Sequence, residues 1–170
     1  MYSIDPRPLS QPDDRARGHI VHYEGNSTDR MRERLRALDP AGLGKVVCFE
    51  SDASGVDPAG IDPRPDVAFI DGEHTRRAVL SDYAFCRRVL SPGGTILFDD
   101  FPIVYPAVIP IVRSLRASGE AFAAFRLDGK VFGIFLDPGR VGRDPHLSKC
   151  QERRRFTLAR YALKALFRRR

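Results

Sequence analysis

Four residues in this chain can do proton and cation chemistry together: Asp71, His74, Asp99 and Asp100. The first two lie in Ile70-Asp71-Gly72-Glu73-His74 and the other two in Phe98-Asp99-Asp100. A carboxylate accepts hydrogen bonds and binds hard cations; an imidazole takes or gives a proton near neutral pH. The three-residue step from Asp71 to His74, on a turn, can aim both side chains into one cleft. Asp71, Asp99 and Asp100 offer three oxygen donors, a set that suits Mg²⁺. The plainer alternatives are acids that cap the following helices and a surface histidine at a helix start.

The apolar sequence in front of these residues is what must bring them together. Val67-Ala68-Phe69-Ile70 and Thr95-Ile96-Leu97-Phe98 are continuous apolar runs, each ending in acid. Between them the spacing predicts a helix over 75–90, with Val79, Tyr83, Cys86 and Leu90 on one face, then the turn Ser91-Pro92-Gly93-Gly94. Two buried strands joined by a helix lie parallel, so their acids emerge on one edge of the sheet, where open α/β folds bind ligands.

Upstream, Tyr2–Asp5 reads as the end of a strand stopped by Pro6 and Pro8, residues 9–18 as polar loop, and 20–23 as a short extended segment. Asn26-Ser27-Thr28-Asp29 offers a cap to a helix carrying Met31, Leu35 and Leu38, which Asp39-Pro40 ends. A strand over 46–49 leads to Glu50-Ser51-Asp52-Ala53, and the proline-rich stretch 54–66 reads as loop with at most one helical turn. Downstream come a helix over about 106–118, with Val108, Ile111, Val112 and Leu115 packed inward, and strands over 121–127 and 130–136 joined by Asp128-Gly129. This order predicts an α/β fold, a mostly parallel sheet with a C-terminal antiparallel hairpin.

A chain of 170 residues fits one such domain. Shares of 42% hydrophobic and 29% charged residues suit a soluble globular protein. No apolar run reaches the length of a membrane span, and the start MYSIDPRP does not read as a signal peptide. Cys48, Cys86 and Cys150 are far apart with no CxxC pair, which suits reduced thiols in a cytoplasmic protein. Residues 151–170 hold eight basic residues against Glu152 alone, more than the whole chain's net charge of +6. The basicity therefore belongs to the tail and does not argue for a nucleic-acid-binding domain. The expected organisation is a domain over 1–139, a linker over 140–150 and a basic amphipathic helix over 151–170. In that helix Phe156, Ala159, Leu163, Leu166 and Phe167 form one stripe. Packing on the domain or on a second subunit is the favoured reading of the stripe, with contact to an anionic membrane surface behind it. The aromatic–basic interleaving of single-strand binders is missing, so no specific nucleic-acid partner is expected.

Phe69-Ile70-Asp71-Gly72-Glu73-His74, the turn Leu90-Ser91-Pro92-Gly93-Gly94 before a strand, and the closing hairpin resemble, in that order, the class I S-adenosylmethionine-dependent methyltransferases. The branch containing sugar and natural-product O-methyltransferases, some metal-dependent, is the most similar. The resemblance implies a Rossmann-like fold with sheet order 3-2-1-4-5-7-6 and an antiparallel seventh strand. It covers about Tyr2 to Asp137. The family's first strand and its GxGxG loop have no counterpart in this sequence. The Tyr2–Asp5 segment resembles the family's second strand, and the chain therefore reads as N-terminally incomplete.

The resemblance also assigns roles. Asp5 would accept hydrogen bonds from the cofactor ribose; a turn aspartate before proline is the alternative. Asp52 and Ala53 would take the adenine, with a loop N-cap as the alternative. Asp71 would lie near the methyl donor, as a metal ligand or both, and His74 would take the proton from the acceptor hydroxyl. Asp71, Asp99 and Asp100 would hold Mg²⁺ in a metal-dependent member, whereas many members keep such acids without a metal. The implied reaction is O-methylation of a small hydroxylated metabolite, a sugar or natural product. The competing reading is an inactive methyltransferase-like binding or scaffold module acting through its basic tail.

Overall fold

The computed structural model describes residues 1–13, 19–127, 129–152, 160, 161 and 163. Along the chain come β1 (Tyr2–Ile4), β2 (Ser10–Asp13), β3 (His19–His22), α1 (Thr28–Leu38), β4 (Val47–Phe49), β5 (Val67–Ile70), α2 (Arg76–Val89), β6 (Thr95–Phe98), α3 (Phe101–Ala117), β7 (Ala123–Arg126), β8 (Phe132–Phe135), α4 (Pro138–Arg143) and α5 (Pro145–Glu152). Single 3₁₀ turns lie at Leu43–Lys45, Ala53–Gly55 and Pro58–Gly60.

The strands form three sheets. β1 and β4 run parallel, β2 and β3 form an antiparallel ribbon, and the main sheet has the order β5-β6-β8-β7. In the main sheet β5 and β6 are parallel, while β8 runs antiparallel to both of its neighbours. β4-β1 and β5-β6-β8-β7 match the 3-2 and 4-5-7-6 parts of the expected order, with β8 as the antiparallel strand. No strand among the described residues pairs with β1 on the side away from β4, or with β5 on the side away from β6. On the bare part of β5, Val67 and Phe69 are 50% and 54% exposed.

Local chemistry explains the elements. Ser27 caps α1 by accepting from the Arg30 N–H, and Thr75 caps α2 by accepting from the Ala78 N–H. At the turn into β6, Gly93 has φ +75°, a conformation that favours glycine. A Cβ on Gly94 would meet the Ser91 carbonyl oxygen at 3.0 Å and that of Asp66 at 3.2 Å. This close turn lets the Thr95 N–H reach the Asp66 carbonyl and sets the register of β6 beside β5.

α3 begins well before the expected residue 106. Pro102 lies in the first turn, where no backbone N–H is needed. Pro106 and Pro110 follow at steps of four, so the donors they lack would have bonded to the carbonyls of residues 102 and 106. The losses fall on one stripe, and burial of nine residues including Phe101, Val104, Val108, Ile111 and Leu115 holds the helix. Residues 9–18, expected as loop, contribute β2: a ribbon edge accommodates Pro12. Residues 14–18 lie outside the described set.

The main core packs α2 and α3 against the sheet through Val79, Ile96, Phe98, Phe101, Val108, Phe132 and Ile134. α2 has a second apolar face that the expected stripe omitted. Phe85 and Val89 pack with Val56 and Ile61, and against Tyr2, Ile4 and Phe49, tying the β1–β4 pair to the domain. The segment 140–150, expected as a linker, is instead folded. α4 and α5 bury Val141 and Cys150 against Ala123, Phe125 and Phe135 on the hairpin. Asp137 caps α4, with Pro138 in its first turn.

Of the basic tail, Tyr161 packs edge-on against Phe101, with ring centroids 4.8 Å apart, and beside Tyr105 at 5.0 Å. Leu163 is 57% exposed. Phe156, Ala159, Leu166 and Phe167 lie outside the described residues. Among the described residues no helix is long and apolar enough to cross a membrane. Cys48, Cys86 and Cys150 are free thiols.

Candidate active site

The C-terminal ends of β5 and β6 deliver Asp71 and Asp99, and the Asp99 N–H donates to the Ile70 carbonyl at 3.0 Å, locking the two ends together. Asp100 follows in the left-handed region, at φ 43° and ψ 40°, unusual for a residue other than glycine. From there its carbonyl accepts from the Ile103 and Val104 N–H groups at the start of α3. Its side chain, free of capping duty, turns toward the site.

His74, at the end of the β5–α2 loop, is the hub. Its Nδ1 lies 2.9 Å from Asp13 Oδ2, and its Nε2 lies 3.7 Å from Asp100 Oδ2. The Asp13 side chain is 1% exposed. The backbones also meet, in a parallel bridge between Asp13 and His74. On the far side, Lys130 Nζ donates to Asp100 Oδ1 at 2.9 Å, and the Phe101 N–H donates to the Lys130 carbonyl. A polar row therefore runs Asp13–His74–Asp100–Lys130, hydrogen-bonded at both ends and open between His74 and Asp100. The hydrogen bond and charge of Asp100 raise the pKa of Lys130 and keep its ammonium charged, with Asp99 and Asp71 adding to the effect.

Asp71 stands beside this row. Its carboxyl is pushed above the usual carboxylate value, first by partial burial and then by the charge of Asp99; His74 and Lys130 pull the other way. The expected Asp71–Asp99–Asp100 metal centre does not assemble. Among the described residues no group of three His, Cys, Asp or Glu side chains is placed to hold a metal ion. The reason is local: Asp100 is turned to Lys130 and His74, and the lysine brings positive charge to the acids. The donor set as arranged does not fit Mg²⁺.

The residues expected to hold a nucleoside end the other parallel pair. Asp5 follows β1 and its N–H donates to the Phe49 carbonyl, so Asp5 and the loop after β4 leave the same end of that pair. Arg7 engages both Asp5 carboxylate oxygens, through its N–H at 2.7 Å and its Nη1 at 2.8 Å. Asp52 is exposed, and its side chain caps nothing in the turn that begins at Ala53. Nearby, the α2 residue Asp82 has its pKa raised to about 6 by burial, with Asp52 and Glu73 adding like charge.

The structure gathers His74, Asp71, Asp99 and Asp100 at one edge, as expected from the sequence, and adds Asp13 and Lys130, which the sequence reading did not single out. Asp13 lies in a polar segment without apolar alternation, 61 residues from the histidine it meets. The only available signal was the histidine itself, whose orientation in an enzyme often comes from an acid.

Comparison with known proteins places these residues in context. The family described as Methyltransferase domain matches residues 2–101. A protein of Acanthamoeba polyphaga mimivirus is 38% identical over 70 residues, which cover 38% of this chain and 32% of that protein. The chain thus spans about a third of that curated relative. Among solved structures, MycE methyltransferase from the mycinamycin biosynthetic pathway, in complex with Mg and SAH, aligns with TM-score 0.40 and 16% identity, covering 56% of this chain and 33% of MycE. An O-methyltransferase family protein from Burkholderia thailandensis aligns with TM-score 0.41 and 19% identity, covering 65% and 40% of the two chains.

Proposed function

Because the chain belongs to the methyltransferase-domain family, whose match spans residues 2–101, we propose that it transfers a methyl group from S-adenosylmethionine to a hydroxyl of a small metabolite, a sugar or a glycosylated natural product. The observation that carries this reading is His74, held at the ligand edge of β5 with Nδ1 on Asp13 and Nε2 beside Asp100.

The chemistry asks little covalent help of the protein. The acceptor oxygen attacks the methyl carbon, the carbon–sulfur bond breaks with its electron pair staying on sulfur, and the hydroxyl proton passes to His74 Nε2. The cofactor supplies an activated methyl group; the chain aligns the reactants and takes the proton. Asp71 and Asp99 give the edge a negative potential that suits a sulfonium cation. Asp5, Asp52 and Ala53 are the residues assigned to the nucleoside. Each Asp5 oxygen keeps a lone pair beyond its bond to Arg7, so the carboxylate can still accept. A charged lysine on Asp100 supports a reaction that proceeds without Mg²⁺.

The second reading is a binding module without turnover. It is favoured by the edges of β1 and β5, neither of which pairs with a further strand among the described residues. Calorimetric titration with S-adenosylhomocysteine separates the two, followed by incubation with S-adenosylmethionine and a panel of hydroxylated acceptors. Binding with product formation supports the enzyme. Folded protein that binds neither compound favours the module.

A further inference from the structure

We infer that Asp13 is a positioning residue for His74: it fixes the imidazole with its proton on Nδ1 and presents Nε2 to the acceptor hydroxyl beside Asp100. The inference rests on reading His74 as the proton acceptor and names the group that prepares it.

An ionised carboxylate only accepts hydrogen bonds. At 2.9 Å from Asp13 Oδ2, His74 Nδ1 must therefore carry the hydrogen. In the neutral ring this leaves the lone pair on Nε2. That lone pair faces Asp100 Oδ2 across 3.7 Å, too far for a direct hydrogen bond. A substrate hydroxyl set to one side of that line can come within hydrogen-bond reach of Nε2 and donate its one proton there, with Asp100 beside it. Lys130 keeps Asp100 in place from the other side.

Three features distinguish this contact from a chance surface pair. The Asp13 side chain is 1% exposed and that of His74 11%, so the bond is sheltered from water. The backbone bridge between Asp13 and His74 fixes the spacing independently of rotamers. The other Asp13 oxygen lies 3.9 Å from His19 Nδ1, beyond hydrogen-bond reach, so His19 does not compete at that distance for the role His74 fills.

The test is nitrogen-15 NMR of the histidine side chains in the full chain, with the His74 signal identified by its loss in His74→Gln. The wild type should show the Nδ1–H tautomer at a pH where the ring is neutral. Asp13→Ala should lose that preference, and Asp13→Asn, which keeps an acceptor, should hold it in part. In turnover, Asp13→Ala should lower kcat about tenfold or more, and by no more than the ~10²–10⁴-fold that a positioned base contributes, with donor affinity nearly unchanged. Asp13→Glu should recover part of the loss. An Nε2–H tautomer in the wild type overturns the inference. So does an Asp13→Ala variant that melts earlier yet turns over normally per folded molecule, since that would mark a structural tie alone. If no methyl transfer occurs in any form of the protein, the enzymatic reading fails, while the tautomer still reports on the Asp13–His74 contact.

Discussion

Lys130 Nζ lies 2.9 Å from Asp100 Oδ1, so the tip of the β7–β8 hairpin reaches back to the left-handed residue that opens α3. The contact joins the most local part of the fold, a tight antiparallel turn, to the edge where the acids gather. It also gives Asp100 a cationic partner on the side away from His74. Lys130→Met should therefore free the Asp100 carboxylate to rotate. The expected result is a roughly tenfold loss in kcat with donor affinity and fold retained, while Lys130→Arg keeps most of the activity. Steady-state kinetics beside a circular dichroism spectrum check both.

His74→Asn should lower kcat by about 10²–10⁴-fold, the usual contribution of a positioned general base. Binding of S-adenosylhomocysteine, measured by calorimetry, should change little, because the role proposed for the imidazole is on the acceptor.

The edge was legible in the sequence because its signals are local. Val67–Ile70 and Thr95–Phe98 are apolar runs ending in acid, and Thr75 and the paired glycines at 93–94 punctuate them. The Asp128-Gly129 dipeptide announced the hairpin, and Gly129 adopts the positive φ of 71° that such a turn needs. What stayed hidden depends on distant partners. β2 reads Ser-Gln-Pro-Asp, and nothing in those four residues reveals that the last is buried against a histidine on another element. The early start of α3 was masked by prolines whose spacing of four confines their cost to one stripe. Phe85 and Val89 fell outside the expected stripe of α2 because the face they cover belongs to the separate β1–β4 pair.

Asp82 should make stability fall as pH rises through the weakly acid range. The fold raises its pKa from 3.8 to about 6, chiefly by burial, so the native chain holds this proton more tightly than the unfolded one. Between those two values stability declines with rising pH, and above the upper one the full penalty applies. Asp82→Asn should flatten this slope. It should also raise stability at pH 7 by on the order of 1 kcal/mol, allowing for solvent screening of a partly exposed group. Urea denaturation at a series of pH values reads the difference.

Two phenylalanines on neighbouring strands should respond very differently. Phe98 on β6 is 0% exposed and stacks near Tyr83 with ring centroids 6.4 Å apart. Phe98→Ala should cost about 3–5 kcal/mol in urea unfolding. Phe69 on β5 is 54% exposed, and Phe69→Ser should change stability by no more than about 0.5 kcal/mol.

Cys86 should resist alkylation while the protein is folded. Burial, with Asp82 adding negative charge, pushes its thiol up to about 12, so almost no thiolate exists at pH 8. Mass spectrometry after iodoacetamide treatment should find Cys86 unmodified in the native chain and modified after denaturation.

His74 is proposed to take the acceptor's proton in a methyl transfer. The most direct measurement is single-turnover transfer of a labelled methyl group from S-adenosylmethionine, comparing wild type with His74→Ala at saturating donor. The wild type should give methylated product, the variant a rate lower by at least about a hundredfold, and both equal donor binding. Equal transfer rates in the two proteins, or a folded wild type that binds no donor, would contradict that role.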